Sequence, residues 1–377
     1  MATPNSSQGH TPDLSRDIEP VSILIGGRVH NDWSNYDVDS DLMRPAAGWR
    51  VDLGLPAGQL PLAVEPGARV EVRIGSDVAL TGIVDDVDDD VGGRTASLSM
   101  SGRDGAGILT DCSAPIFTAK DMSLEQIVRS VVNPLGISKV RVDSRGSSAA
   151  KKVNIEPGDT AWRALERAAH ANGLWPWFAP DGTLIVGGPD YDAPPVASLI
   201  LRRDGKGNNI NRLRRIKSIA RRYSEITILG QSNGTNAANG QNAMRTIVRD
   251  PDVKIYRPLI LTDGDALSGD SLLRQAEKAL ADGRLDGLTY QADVRGHRTS
   301  NGVLWEPGQR VHLEDERRGF SGILFVMARR FRGGSGTSTT TTLTLKEDKV
   351  WIPLVVPKGK RKLETKAFDP EELDTTP

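Results

Sequence analysis

The sequence has little of what defines several common classes of protein. Its 377 residues include one cysteine, Cys112, so an intramolecular disulfide is excluded and folding in a reducing compartment is favoured. Its five histidines are scattered and have no second cysteine beside them, so no zinc site is predicted. Aromatic residues make up only 5% of the chain, and no apolar run approaches the roughly 20 residues that cross a bilayer. We therefore expect neither a disulfide-stapled domain nor a membrane span.

An excess of charge of one sign is also missing. The 48 basic and 49 acidic side chains leave a formal net charge of −1, so no overall field favours nucleic acid or an anionic membrane. The first 20 residues have neither the basic nor the apolar segment of a secretion signal. Their composition, like that of the last 29, predicts a flexible segment.

Sequence motifs of catalysis are absent as well. The chain has no H-E-x-x-H pattern and no Gly-rich phosphate loop with its lysine. The run Asp85–Asp90 has the charge of a calcium loop, but an EF-hand from Asp86 needs glycine where Val91 stands and glutamate where Ser97 stands. We interpret this run as a solvated hairpin tip. The sequence therefore predicts no enzyme, no catalytic residues, no cofactor and no metal.

Turn residues, by contrast, are abundant. The 39 glycines and 22 prolines are usual for a protein that is rich in strands. Between them lie short segments of alternating polarity, such as RVEVRI at 69–74, which is typical of an antiparallel sheet with one solvated face. The succession of such strands from 21 to 101 predicts a small β-barrel or sandwich.

The stretch Leu98–Ser113, LSMSGRDGAGILTDCS, separates this strand-rich part from the rest of the chain. It begins with strand alternation and breaks at Gly102–Gly105, where we expect the strand to end. Cys112 has no histidine near it in the sequence, so we expect a buried packing residue rather than a reactive thiol. Beyond this stretch, predicted helices and strands alternate, which indicates an α/β domain.

A second motif lies within Val153–Gly173, VNIEPGDTAWRALERAAHANG. Asp159 or Thr160 is predicted to cap a helix that carries Trp162 on its apolar stripe and ends at Gly173. The letters PGDTAW are similar to the opening of LysM peptidoglycan-binding modules, so glycan binding is one interpretation. A LysM repeat would add a short second helix, whereas an aromatic hairpin, WPWFAPDGTLIV, comes next here. We favour a structural α/β unit that buries Trp162.

The most basic stretch is 208–230. One interpretation is a strip that contacts phosphates, and the other is a pair of strands whose arginines are solvated or paired at an interface. Only Tyr223 is available for base stacking, and the balanced net charge argues against a dedicated nucleic-acid binder. The basic side chains of this stretch are Arg212, Arg214, Arg215, Lys217, Arg221 and Arg222.

Several motifs, taken in order and spacing, resemble the Mu-type phage tail P protein family, the baseplate hub. This family is related to the hub of contractile tails and to the base of type VI secretion spikes. The resemblance runs roughly from Val21 to Trp351. The motifs are GRDGAGILTDCS, LEQIVRSVVNPLGI, PGDTAWRALERAAHANGL, NNINR with RRYSEITILGQ, RPLIL, and NGVLWEPGQRV followed by TTLTL.

The resemblance implies an α+β, mainly β hub subunit with two tube-forming antiparallel β-barrel domains and α/β insertions. Three copies would form a ring of pseudo-sixfold shape that adapts a sixfold tail tube to a trimeric central spike. Such a protein is a structural part of the virion baseplate, assembled in the bacterial host cytoplasm. The implied partners are further copies of the chain, the central spike protein, tail tube and tape-measure proteins, and baseplate wedge proteins. The lumen would allow DNA passage without specific nucleic-acid binding.

The predicted organisation is based on these motifs and on the order of elements. Its parts are a flexible arm (1–20), a first β-barrel (21–111), an α/β domain (112–195), a second β-barrel (196–249 and 288–348), an insertion (250–287) and a flexible tail (349–377). The alternative function is a peptidoglycan-binding, LysM-like or wall-degrading tail protein. The family-signature positions, expected to be structural, are Gly102, Arg103, Asp104, Leu109, Asp111, Cys112, Ser113, Pro157, Gly158, Asp159 and Trp162.

Overall fold

The computed structural model describes residues 20–25, 28–31, 33–55, 64–92, 96–116, 122–143, 158–172, 174–231, 243–263 and 269–351. Strands account for 50% of the described residues and helices for 16%, which confirms the prediction of a mainly β protein. The predicted arm up to residue 19 and the predicted tail from residue 352 lie outside the described residues, as does Pro157. Among the described residues, no helix has the length and apolar character needed to span a membrane.

The helices of the described chain are α1 (Ala106–Asp111), α2 (Leu124–Val132), α3 (Ala161–Ala171) and α4 (Gly269–Gly287). The strands are β1 (Val21–Ile25), β2 (Arg28–His30), β3 (Asn35–Asp41), β4 (Gly48–Leu55), β5 (Arg69–Ile74), β6 (Asp77–Val91), β7 (Ala96–Asp104), β8 (Val140–Val142), β9 (Trp175–Phe178), β10 (Leu184–Gly187), β11 (Ala197–Leu201), β12 (Ile210–Lys217), β13 (Glu225–Gln231), β14 (Ala243–Arg249), β15 (Pro258–Asp263), β16 (Leu288–Arg295), β17 (Arg310–Asp315), β18 (Phe320–Gly334) and β19 (Thr337–Glu347).

Two groups of strands have the same order. In the first strand unit, β1–β7, hydrogen-bonded neighbours are in the order β3-β4-β7-β6-β5-β1, with β2 beyond β1. In the second strand unit, β11, β12 and β16–β19, the order is β12-β16-β19-β18-β17-β11. The chain enters the corresponding strands in the same succession, so the architecture is repeated. One difference is that β1 and β5 are antiparallel whereas β11 and β17 are parallel.

The two strand units join edge to edge. The second half of β18 pairs antiparallel with β3, so that both units belong to one 13-stranded sheet. We call this pairing the internal seam. Hydrogen bonding between the described strands does not close either unit into a barrel, and barrel closure stays a prediction.

The predicted alternation of buried apolar and outward-facing polar side chains is confirmed in the strand where the sequence pattern is clearest. In β5, Val70, Val72 and Ile74 are at most 2% exposed, whereas the charged residues between them face outward. These side chains belong to one hydrophobic cluster that includes residues of both strand units. Burial of one face of each strand therefore holds the two units together in addition to the seam.

The α/β part comes after β7. Helix α2 begins at a capping box: the Ser123 hydroxyl accepts a hydrogen bond from the Gln126 amide, and the Gln126 side chain accepts one from the Ser123 amide. Helices α1, α2 and α3 share a hydrophobic cluster with the small sheet β8-β10-β9. Strands β9 and β10 form the predicted aromatic hairpin.

Two predicted strand ends are wrong. Strand β7 continues through Gly102 and Arg103 to Asp104 instead of breaking there, because the missing side chain of Gly102 lets β6 approach closely. Strand β6 runs through Asp85–Asp90, so these residues are not a hairpin tip. They stay extended because they pair with the alternating serines of β7.

The insertion also begins earlier than predicted. Strands β13 and β14 fall within the segment 196–249 that the sequence assigns to the second barrel, yet they pair with β15 in a separate sheet. Ile226 and Ile228 of β13 are 1% exposed because they pack on Leu272 and Ala276 of α4. The side chains of β13 are thus buried by a helix and not by the second strand unit.

Candidate functional site

The fold brings the two signature motifs together. Ser113 and Thr160 form an isolated antiparallel bridge. The Ala161 amide donates to the Cys112 carbonyl (2.9 Å), and the Ala114 amide donates to the Asp159 carbonyl (2.8 Å). Residues 102–114 and 158–162 thus form one connected site, which we call the motif junction. It lies where the first strand unit meets the α/β part.

Gly102 occupies a point of very close strand approach. A Cβ atom there would lie 2.0 Å from the Ile83 carbonyl oxygen and 2.8 Å from Nε1 of Trp49. That indole nitrogen donates to the same carbonyl (3.3 Å). The space that a side chain would need is therefore occupied by the indole ring and the carbonyl group, and only glycine fits without a shift of the neighbouring strands.

Arg103 connects three elements of the junction. Its guanidinium donates to both carboxylate oxygens of Asp85 on β6 (2.7 and 3.1 Å). It also donates to both carboxylate oxygens of Asp111 at the end of α1 (3.0 and 2.6 Å). The hydrogen bond from Arg103 holds the pKa of Asp111 below its usual range. Such a planar fork fixes the direction in which the chain leaves β7.

Asp104 is the buried acid of the junction. Its side chain accepts a hydrogen bond from the Ala106 amide (2.9 Å), which supplies an acceptor for the first turn of α1. The residue is 6% exposed, and burial raises its pKa to about 7. The adjacent Gly105 leaves room for the Phe178 ring of β9, which a Cβ atom would meet at 2.5 Å.

The second half of the junction positions α3. Gly158 has φ +95°, a conformation that favours glycine. Asp159 is 7% exposed and receives two hydrogen bonds from the Arg167 guanidinium (2.9 and 3.3 Å). The Thr160 hydroxyl caps α3 by accepting from the Arg163 amide (3.3 Å).

Hydrophobic packing completes the junction. Leu109 is fully buried and Trp162 is 3% exposed, both within the cluster of α1, α2 and α3. Cys112 is a free cysteine but is only partly buried, so its packing role is smaller than predicted. Its observed contribution is the carbonyl that accepts from α3.

Sequence reasoning missed a buried arginine at the internal seam. Arg329 of β18 is 2% exposed and donates to the carbonyls of Val38 (3.0 Å) and Ala79 (2.7 Å) in the first strand unit. Its guanidinium lies over the Phe331 ring, 4.1 Å from the centroid. Burial lowers the pKa of Arg329 to about 10. A bulge between Val326 and Ala328 shifts the alternation in β18 and places this arginine on the core face.

Asp104 of the motif junction and Arg329 of the internal seam line the same cavity. It has a volume of about 230 Å³ and is bounded by the two strand units and the β9–β10 hairpin. Asp104, Phe178, Glu306 and Arg329 contribute to its wall. Burial also raises the pKa of Glu306. The cavity therefore marks the point where three parts of the chain meet around polar groups.

The motif junction consists of hydrogen bonds, ion pairs and buried apolar contacts between the first strand unit and the α/β part. Its carboxylates accept a hydrogen bond from the first turn of α1 or pair with arginines, and Leu109 and Trp162 are buried. Within the described part of the chain, no group of three or more histidine, cysteine, aspartate or glutamate side chains is arranged to hold a metal ion. Trp162 is buried, whereas a glycan-binding groove would present it to solvent. The arrangement connects the strand unit to the α/β part.

Comparison with protein families gives four matches that succeed one another along the chain. The models and the residues they match are Mu phage baseplate assembly protein GpP-like, N-terminal (20–104); baseplate hub protein gp44-like, second domain (106–188); tail protein NMB1110-like, third domain (222–280); and NMB1110-like tail protein, C-terminal domain (282–350).

Individual relatives agree with these matches. The baseplate hub protein gp44 of Escherichia phage Mu is 26% identical over 310 residues, 78% of each chain. A tail protein from Neisseria meningitidis MC58 is 38% identical with a TM-score of 0.80, covering 90% of this chain and 99% of that one. The 43 kDa tail protein of prophage MuSo2 from Shewanella oneidensis shares the fold, with a TM-score of 0.77 and 24% identity over 88% and 99% of the two chains.

The repeated strand units and these relatives define a structural protein of a phage tail. The chain belongs to the Mu-type baseplate hub family, which confirms the resemblance drawn from its motifs.

Proposed function

We propose that three copies of this chain form the hub ring of a contractile tail, where they join the sixfold tail tube to the trimeric central spike. The proposal is carried by the repeated strand order of the two strand units. Three chains with two such units each present six similar units around one axis. A ring of this kind meets a sixfold tube on one side while keeping threefold symmetry.

The parts of the chain that are not repeated would give the ring its threefold symmetry on the side that meets the spike. The α/β part with α1–α3 comes only after the first strand unit, and the sheet β14-β13-β15 with α4 interrupts only the second. Each occurs once in a chain and so three times in the ring. The central spike, the tube and tape-measure proteins and the baseplate wedge are the partners that such a ring would hold. The subunit would be made in the host cytoplasm and carried in the tail baseplate of the virion.

The proposed role is mechanical and not enzymatic. Its work is to match symmetries, to start tube assembly and to hold the spike until the tail contracts. The alternative of a glycan-binding or wall-degrading protein is disfavoured by the burial of Trp162, which is 3% exposed. A pull-down on purified peptidoglycan tests this alternative directly. Retention above that of an unrelated control protein would support it.

The first test of the ring is the mass of the purified chain in solution. Light scattering is expected to give three times the 40.7 kDa of one chain, and negative-stain images should show rings with a central hole. If the chain alone is monomeric, the measurement is repeated with the spike protein. A monomer under both conditions would contradict the proposal.

A further inference from the structure

Within the described chain, the two strand edges that correspond to those of the internal seam have no strand partner. Strand β18 uses its first half to pair with β17 and its second half to pair with β3 at the internal seam. Its counterpart β6 has the same length, 15 residues, and pairs with β5 through its first half. Along residues 85–91 that side of β6 has no strand partner among the described residues. Strand β12, the counterpart of β3, is likewise bordered by β16 alone in the described chain.

The register of the repeat can be read from the pairs inside each unit. Both β6 and β18 have a bulge near the middle. Beyond the bulge, Asp88 lies opposite Ser99 of β7, as Arg330 lies opposite Thr342 of β19. Asp88 is therefore the counterpart of Arg330. Two residues further on, Asp90 is the counterpart of Arg332.

The residues of β12 are aligned in the same way. Arg214 lies opposite Gln291 of β16, as Asp37 lies opposite Arg50 of β4. The pairing of β16 with β19 matches the pairing of β4 with β7 in the same register. This match connects β12 and β3 to the alignment of β6 with β18 given above. Arg214 is therefore the counterpart of Asp37, and Arg215 takes the place of Val38.

The charges on these edges are complementary. At the internal seam, Arg332 lies opposite Asp37, and Arg330 reaches diagonally to the same carboxylate (2.8 Å). On the two unpartnered edges the signs are exchanged. Strand β6 supplies the acids and β12 supplies the bases, and most of these side chains are exposed. They are Asp86, Asp88, Asp89 and Asp90 on β6, and Arg212, Arg214, Arg215 and Lys217 on β12.

We propose that residues 85–91 of β6 pair antiparallel with β12 of a second copy of this chain. The register of the internal seam then puts Asp90 opposite Arg214 and Asp89 opposite Arg215, with Asp88 within diagonal reach of Arg214. This interface, the external seam, rests on the proposed ring and names the surfaces that close it. It joins two different edges, so every copy offers one edge to each neighbour. It also covers two strand edges that would otherwise invite unspecific pairing.

Cysteine cross-linking tests the register. In a Cys112→Ser background, chains with Asp89→Cys are mixed with chains with Arg215→Cys under mild oxidation. Opposite Cα atoms in antiparallel strands are about 4.5–5.5 Å apart, within disulfide range. We expect a cross-linked dimer on a non-reducing gel. The matched control replaces Arg215→Cys by Asn211→Cys, four residues or about 13 Å further along β12, and should give at most a tenth of the product.

Charge reversal tests the chemistry of the same seam. The variants Asp88→Arg/Asp90→Arg and Arg212→Asp/Arg214→Asp are each expected to lose the three-chain mass in light scattering. A chain that carries all four substitutions should regain it, since opposite charges then face each other again. Circular dichroism of each variant checks that the chain remains folded. If the chain with all four substitutions regains the three-chain mass, misfolding does not explain why the two double variants lose it.

The outcomes separate this inference from the proposed function. A three-chain particle without the expected cross-link, or one that survives both charge reversals, overturns the external seam and leaves the ring intact. A chain that stays monomeric both alone and with the spike protein, and that does not cross-link, overturns both. A chain that carries both cysteines should cross-link in a ladder that ends at three chains. A ladder that continues beyond three supports the seam and contradicts the threefold ring.

Discussion

At the residue scale, the motif junction depends on one glycine. A Cβ atom on Gly102 would lie 2.0 Å from the Ile83 carbonyl oxygen, so β6 and β7 must separate to admit it. We expect Gly102→Ala to lower the free energy of unfolding by roughly 3 kcal/mol, as measured by urea denaturation. In the control Gly322→Ala, the nearest heavy atom is a Phe320 ring carbon at 3.3 Å. The control should lose less than about 1 kcal/mol, and equal losses would contradict this role of Gly102.

The buried carboxyl of Asp104 makes stability depend on pH. Its native pKa of about 7 lies above the ordinary value of about 3.9. Between these values the native state binds more protons than the unfolded state, so this group's contribution to stability falls as pH rises from about 4 to 7. In Asp104→Asn this titration is absent, while an acceptor for the Ala106 amide remains.

The stability difference between these two chains isolates that effect. The free energy of unfolding of Asp104→Asn minus that of the wild type is expected to rise across pH 4–7, by up to the order of 4 kcal/mol, and to level off above. Urea denaturation at a series of pH values measures it. A difference that is flat over this window would mean that Asp104 titrates in the folded protein as it does in the unfolded chain.

At the scale of elements, the internal seam depends on a buried cation. Arg329→Met removes the donors to the Val38 and Ala79 carbonyls. Its expected cost is roughly 3 kcal/mol, because buried acceptors lose their partners. The neighbouring Arg330→Met removes an ion pair with Asp37 from a side chain that is 55% exposed, and should cost at most about 1 kcal/mol. Urea denaturation of both variants gives the comparison, and the reverse order of losses would refute this role of Arg329.

Local signals explain why several elements could be predicted from the sequence. The alternation at 69–74 and the capping box at Ser123 are each complete within a few residues. The contact between β3 and β18, in contrast, joins distant parts of the sequence: Arg329 and Val38, which share a hydrogen bond, are 291 residues apart. No short sequence pattern encodes such a contact. The aspartates of Asp85–Asp90 have the composition of a turn, yet the serines of β7 keep them in a strand.

The same distinction applies to the motif junction and its surroundings. The motifs are visible in the sequence as short strings, and a structural role for them stays a prediction. Their meeting through Ser113 and Thr160 depends on tertiary packing. Arg329 was missed because a bulge reverses the face on which it lies. A bulge adds one residue to a strand and leaves no clear mark in the polarity pattern.

At the scale of the whole molecule, two kinds of contact should respond differently to salt. The internal seam has Arg329 and a continuous hydrophobic cluster behind its surface charges. The external seam would join strands whose charged side chains are largely exposed, and exposed charges are screened over about 10 Å at 0.1 M salt and about 3 Å at 1 M. We therefore expect added salt to dissociate the proposed ring while each chain remains folded.

Sedimentation velocity over a dilution series measures this effect. Raising the salt from about 50 mM to about 500 mM is expected to increase the dissociation constant of the three-chain particle by roughly tenfold or more, because exposed acid–base pairs lose their attraction. Circular dichroism should stay unchanged over the same range. The chain with all four charge reversals should have the same salt slope, since it keeps the number of pairs. If the mass of the particle does not change with salt concentration, the particle is held together by apolar contacts, which salt does not weaken.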